Sequence, residues 1–341
     1  MNKKSMKLKS VIYLILITLF SGNLNLYSDI SEALLTTKQN YQNDLGLISA
    51  FITENIGKLV AYNGASEINL PAETLLTNRF ELGLVLHTNV YKSNIKVLKN
   101  LNLQIINGEP IIDWTTVDDT YFPFGGILIF TKVGVSDTFD FGIKFGGVPS
   151  ELNFENIVFF RSSIFGAETR LQIVHRPTLP FDIATSIGIT NSNGYLELKT
   201  SETITNGYVT SESINYEQVT KLSKPVLNTN WNFNLVTVRT IISAPITIFK
   251  PYAGIQLDFN YAKSYGKFST PCEITVTEVG NPSNIMQANY NLEGANYFVV
   301  PIINHRVLLG LEINLDVMQF WLSTDISIDN YSLMLGGRIK I

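Results

Sequence analysis

The stretch that decides the fold is residues 253–261, AGIQLDFNY. Ala253, Ile255, Leu257, Phe259 and Tyr261 alternate with Gly254, Gln256, Asp258 and Asn260. Successive side chains of a strand point to opposite faces, so this segment has one apolar and one polar face. The same period recurs at 139–146, 165–173, 181–189 and 309–316. A soluble sandwich strand alternates too. These runs differ in length, because several reach the roughly 9–11 residues with which a tilted strand crosses a bilayer. A soluble strand has about five or six. They differ also in the polar face, which carries Gly and both signs of charge: Asp140, Lys144, Glu168, Arg170, Asp182, Asp258, Glu312 and Asp316. Apolar outside and polar inside is the pattern of a membrane barrel.

Working outward, the chain has 341 residues, 45% hydrophobic and only 16% charged. That is too apolar for a disordered chain. With 25 Lys and Arg against 29 Asp and Glu it is not a basic nucleic-acid binder, and its one Cys excludes a disulfide scaffold. The first residues supply a destination. Met1–Lys9 carries four lysines and no acid, Val11–Phe20 (VIYLILITLF) is a hydrophobic run, and SGNLNLYS follows. This is the three-part plan of a secretory signal peptide over 1–28, and the run is too short to span a bilayer. Its removal leaves 21 bases and 29 acids. No later segment is a continuous apolar stretch of helix-spanning length, of about 18 residues. Export without a helical anchor leaves a secreted soluble β protein or a barrel in a bacterial outer membrane. In lipid each unpaired backbone group costs several kcal/mol, so spanning strands must close on themselves.

Residues 29–70 hold the one helical signal. Leu45, Ile48, Ile52, Ile56 and Leu59 recur at steps of three and four and define one apolar face. Asn43 and Asp44 read as N-cap residues, and Gly57 with Asn63-Gly64 read as the end. The segment is expected to be a plug or periplasmic cap, with the barrel occupying 71–341. Within 101–137, Pro and Gly suggest an inward-folded loop or an interrupted rim strand. Residues 200–225 and 262–288 read as long external loops. At the C-terminus, Tyr331, Leu333, Leu335, Gly337, Ile339 and Ile341 alternate with Ser332, Met334, Gly336, Arg338 and Lys340. This looks like the terminal strand that outer-membrane assembly machinery recognises, although Ile341 stands where an aromatic is commonest and Met334 where a polar residue is usual. The expected class is thus an all-β, antiparallel transmembrane barrel of about 12–14 strands, with a short N-terminal helical plug or cap.

Asp44-Leu45-Gly46 and Leu179-Pro180-Phe181-Asp182-Ile183 carry a resemblance to a family of uncharacterised outer-membrane barrels that begin with an amphipathic helix. More loosely, a helical start followed by many strands is similar to FadL-type long-chain fatty-acid transporters. That resemblance implies an N-terminal hatch and passage of a hydrophobic small molecule. The Asn-Pro-Ala start of that family is absent, and no functional residue is carried across.

Catalytic chemistry is not legible. His87, His175 and His305 have no second His or Cys at ligand spacing, and no Gly-x-Ser-x-Gly elbow exists. The histidines read as partly exposed strand-end residues. Cys272 falls in an apparent polar loop and reads as incidental. Neither enzyme activity, nor a metal, nor a cofactor, nor a nucleic-acid partner is expected. The expected partners are outer-membrane lipid, the barrel-assembly machinery through the C-terminal strand, and a hydrophobic small molecule. The eight polar-face charges admit two roles: a salt-bridged filling of the bore, or the lining of a solute path. A barrel with a structural or surface-contact role and no transport is the alternative function.

Overall fold

Alternation becomes pairing in the computed structural model, which describes residues 30–64, 68–93, 120–154, 158–175, 179–199, 203–210, 216–278, 281–299, 303–328 and 330–341. The signal-peptide segment 1–28 and the first part of the Pro/Gly-rich stretch, 101–119, lie outside the described residues. Among the described residues one helix, α1 (Ile30–Gly64), precedes β1 (Phe80–Ser93), β2 (Thr120–Ser136), β3 (Phe139–Phe154), β4 (Val158–Val174) and β5 (Asp182–Lys199). There follow β6 (Thr203–Thr210), β7 (Tyr216–Ser223), β8 (Val226–Ser243), β9 (Phe249–Glu278) and β10 (Asn281–Val299). The last are β11 (Ile303–Leu315), β12 (Met318–Ile326) and β13 (Asn330–Lys340). Among the described residues no helix is long and apolar enough to cross a membrane.

Ten strands close a ring in the order β1-β2-β3-β4-β5-β8-β9-β11-β12-β13, every pairing antiparallel. The seam is β1 on β13, from Glu81 opposite Lys340 to Tyr91 opposite Asn330. The ring thus has fewer strands than the expected 12–14, and β6, β7 and β10 are further strands that stand outside it. The lower half of β9 pairs with β8 and β11, and its upper half with β10 and β7. β10 carries on the register of β11: Val299 faces Lys263 and Ile303 faces Phe259. Within 200–225 and 262–288, expected as loops, the described residues are therefore mostly strands: the paired β6 and β7, and a raised sheet in which β7 and β10 flank the upper half of β9.

The two ends of the ring differ. One has tight turns at 137–138, 244–248 and 316–317, and there Phe80 and Ile341 exchange backbone hydrogen bonds at 2.9 and 2.8 Å. Asp316 makes its turn with φ 66°, a left-handed value that Asp tolerates better than most residues. The other end carries the raised sheet. Gly147, with φ 113°, sits where β3 slips register against β4, and a Cβ there would meet the Ser162 backbone.

β9 shows what each half of the wall faces. Below, Ile255, Leu257 and Tyr261 are exposed on the outside while Gln256, Asp258 and Asn260 are buried inside. Above, the sides exchange character: Phe268, Cys272, Ile274 and Val276 are buried inward, and Lys263, Lys267, Glu273 and Thr275 lie on the outer face. The exchange occurs between the level of Tyr261 and that of the Tyr265–Tyr297 pair, whose ring centroids lie 4.7 Å apart. Aromatic residues gather at the boundary of an apolar band in membrane barrels. Lipid outside and charge inside give way, above this level, to water outside and the α1 face inside.

α1 begins at Ile30, so Asn43 and Asp44 are mid-helix and not its N-cap. Asp44 is buried against the sheet, and tertiary packing overrides the capping signal there. The helix also continues through Gly57 to Gly64. An extended run, 68–79, joins it to β1, so the wall starts at Phe80, after the expected boundary at 70.

Placing a charge on the apolar band separates the two halves of β9. Ile255→Arg, mid-band and exposed, is expected to cost about 2–4 kcal/mol. Thr275→Arg, above the tyrosines, should stay within about 0.5 kcal/mol. Urea unfolding in detergent, followed by heat-modifiable gel migration, reads both; equal effects would remove the proposed boundary.

Candidate functional site: the threaded bore

The bore is a charged cylinder enclosed by an apolar wall, and a polypeptide runs through it. From α1 onward the contacts step steadily from the raised sheet to the tight-turn end. Ser49 Oγ donates to Gly266 O at 2.9 Å, and Ser264 Oγ donates to Thr53 O at 3.1 Å. Tyr62 Oη donates to Asp325 O at 3.0 Å. Tyr252 Oη then donates to Asn69 O at 2.9 Å, and the Ala72 N–H to Ser243 Oγ at 3.0 Å. The Thr74 N–H reaches Gln172 Oε1 at 3.1 Å and the Leu75 N–H reaches Asp140 Oδ2 at 3.1 Å. At the turn, Thr77 donates through its N–H and hydroxyl to Asp137 Oδ1, holding that carboxyl below the usual carboxylate range.

Three wall arginines fasten this thread in one repeated way. Arg306 donates to Asp258 at 2.7 Å and to Tyr62 O at 3.0 Å, with its guanidinium 3.7 Å from the Tyr62 ring centre. Arg239 donates to Glu168 at 2.7 Å, to Asn69 Oδ1 at 2.9 Å and to Ile68 O at 3.3 Å. Arg170 donates to Asp140 at 2.6 Å and to Pro71 O at 2.9 Å. Tyr62 lies in the last turn of α1, whose carbonyls have no partner within the helix, and Ile68 and Pro71 lie outside it; an orphaned buried carbonyl is costly. A planar guanidinium has enough donors to serve a carboxylate and a carbonyl together. Lys132 also pairs with Glu168, Lys250 with Glu73 of the thread, and Arg338 with both Glu81 and Glu312.

Of the eight charges singled out on the polar face, seven line the bore and are buried: Asp140, Lys144, Glu168, Arg170, Asp182, Asp258 and Glu312. Asp140, Glu168 and Arg170 join the thread clamps, Glu312 the Arg338 pair, and Asp182 accepts from Gln172 at 3.1 Å near the tight-turn end. Asp316 does not belong with them. β11 ends at Leu315, and Asp316 is exposed in the turn, off the strand alternation. Sequence reasoning missed Arg239, Arg306, Arg338, Asp325 and Glu81, all inward and buried. Extending the alternation of β8, β11 and β13 would have found the three arginines, and that of β12 and β1 would have found Asp325 and Glu81. It could not have found the thread, because 68–77 has no strand partner. His87 is likewise buried inward, at 4% exposure, and not a strand-end residue.

Met334, the departure in the terminal strand, faces the bore and packs with Ile68, Leu70, Phe130 and Trp321. The thread brings apolar side chains inside, so an apolar wall residue fits there. A small cavity beside Ile68, Lys132, Lys144 and Glu168, about 10 Å³, has room for roughly one water.

Above the bore, the predicted apolar face of α1 meets the raised sheet. Leu45 and Ile48 are fully buried with Phe268, Cys272, Ile274, Val276 and Leu292, and Ile52 packs on the same cluster. Ile56 lies lower, with Val60 and Ala61 against Trp231, Phe160 and Phe233, and Leu59 is also buried. Close approach requires glycine at Gly266 and Gly294, where a Cβ would collide with Thr53 and with the Leu45–Gly46 backbone. Cys272 is therefore under the helix and not in a loop, and burial pushes its thiol up to about 12.

No family model matches this chain, and no curated protein matches it. Solved structures are similar to it over most of its length. The translocator domain of autotransporter NalP from Neisseria meningitidis is 7% identical, covering 86% of this chain and 98% of its own, with TM-score 0.29. A Pseudomonas aeruginosa FadL homologue is 6% identical, covering 77% and 90%, with TM-score 0.27. The attachment invasion locus protein Ail of Yersinia pestis is 7% identical, covering 78% and 100%, with TM-score 0.24. A FadL homologue is thus among them, but similarity at these TM-scores carries no argument about this chain.

Two outcomes follow from this geometry. Arg306→Met leaves Asp258 and Asp325 buried without their cation and should cost about 3–5 kcal/mol, whereas Asp316→Asn should change stability by less than about 0.5 kcal/mol. Urea midpoints in detergent compare them. Cys272 should resist maleimide in the folded protein, and Gly266→Leu, which forces α1 off the sheet, should expose it to rapid labelling. Equal labelling rates with and without Gly266→Leu would show that the helix does not cover the thiol.

Proposed function

We propose that this protein is an outer-membrane barrel, exported by its N-terminal signal, whose bore is sealed and whose raised helix-and-sheet unit is displayed for surface contact. The observation that carries this reading is burial of the bore charges. Glu81, Asp258, Arg306, Glu312 and Asp325 are all exposed by 2% or less. A water-filled channel would wet such side chains; here they are spent on one another and on the thread. The lipid partner is the acyl-chain region around the apolar band, and β13 is the candidate signal for the assembly machinery. The acidic, lipid-facing and raised surfaces support an anchoring role, and we assign no catalytic step.

A second reading, passage of a hydrophobic small molecule, is favoured by one feature. Phe124, Phe160 and Trp231 gather at the mouth of the bore, with ring centroids 4.5 to 6.3 Å apart, beside Ile56 and Val60 of α1. If α1 were a hatch, its removal would open an apolar chamber.

Conductance in planar bilayers distinguishes them. The whole chain should be silent, and deletion of residues 30–62 should leave it silent because the clamped thread remains. Deletion of 30–77 should open ion conductance. A hatch would instead give conductance and entry of a hydrophobic fluorescent dye on deletion of 30–62 alone, and the sealed-anchor reading would be dropped.

A further inference from the structure

We propose that the polypeptide crosses the membrane through the bore of its own barrel, so that α1 stands on the cell-surface side while the end of β13 stays on the opposite side. This rests on the outer-membrane reading above for its sense of inside and outside, and adds the route of the chain. The number of wall strands is even, so a barrel alone would return both of its ends, Phe80 and Ile341, to one side, and here they are hydrogen-bonded to each other. The segment before Phe80 then runs the other way. Thr77 is fixed at the tight-turn end on Asp137, Pro71 lies on Arg170 near that end, Asn69 lies farther in on Arg239, and Tyr62 lies higher on Arg306. Leu45 and Ile48 are beyond the tyrosine boundary, in the raised sheet.

The distances allow it. Residues 68–76, which precede the turn at 77–78, could reach about 30 Å at full extension, more than the roughly 25 Å apolar band of a barrel, and the last turns of α1 add to that span. Short turns face the periplasm and longer elements face outward in such barrels, which places the raised sheet, and α1 with it, outside. The polarity exchange along β9 agrees, since the outer face of the raised sheet is built for water and its inner face for α1. A helix on the periplasmic side would have left that inner apolar face of Phe268, Ile274 and Val276 bare. The barrel thereby delivers its own N-terminal segment across the membrane and holds it there, with the three arginine clamps as the retaining device.

The test is accessibility on intact bacteria. In a Cys272→Ser background, single cysteines are placed at Asn43 or Gln39, on the exposed side of α1, at Ser283 near the β9–β10 tip, and at Asp316 in the tight turn. A membrane-impermeant maleimide is applied before and after opening the outer membrane, and heat-modifiable migration confirms that each variant is folded. Labelling of Asn43→Cys, Gln39→Cys and Ser283→Cys on intact cells, with Asp316→Cys labelled only after opening, is the expected result. Ser283→Cys labelled while both helix positions wait for opening would overturn the route and leave the barrel reading standing. Asp316→Cys labelled and Ser283→Cys protected would reverse the orientation and overturn both.

Discussion

Charge inside a lipid-enclosed cylinder is the constraint on which this structure depends. An ion removed from water must find a partner of opposite sign and fill its remaining hydrogen bonds, or the fold loses several kcal/mol for each failure. A ten-stranded wall has inward positions on every strand, and here they alternate acid with base across neighbouring strands: Glu81 with Arg338, Asp140 with Arg170, Asp258 with Arg306. The wall alone leaves guanidinium donors over, and the thread takes them up with its backbone carbonyls. Thread and wall complete each other's hydrogen bonding.

The same account explains why the interior is not uniformly polar. Where the thread presents Ile68 and Leu70, the wall answers with Phe130, Trp321 and Met334. Where α1 enters the mouth, the wall answers with Phe160, Trp231 and Phe233. The bore is thus patterned by its contents, in three levels: ionic at the tight-turn end, mixed in the middle, apolar above. An open pore would have no reason to follow such a sequence of contents.

Much of the wall was legible along the chain. The period-two runs at 139–146, 165–173 and 253–261 report a two-faced environment, and lipid against charge is the sharpest such contrast available to a strand. Seven of the eight polar-face charges fall inward for that reason, and Asp316 fails because alternation stops mattering once the chain leaves the ladder. The apolar face of α1 was visible at helical period, though its beginning was not, because Asn43 and Asp44 carry a local capping signal that the sheet contact overrules. The raised strands were hidden: their outward faces are polar and their inward partner is a helix far away in sequence, as Ser49 with Gly266 illustrates.

The sequence by itself determined a barrel-forming chain, its apolar exterior, its charged interior and an amphipathic helix ahead of it, since each is a matter of local period and composition. Only the tertiary structure decided that the ring closes on ten strands, that α1 sits at the raised end, and that 68–77 fills the bore. Those outcomes depend on which distant side chains meet an unpaired backbone, and no spacing along the chain records that.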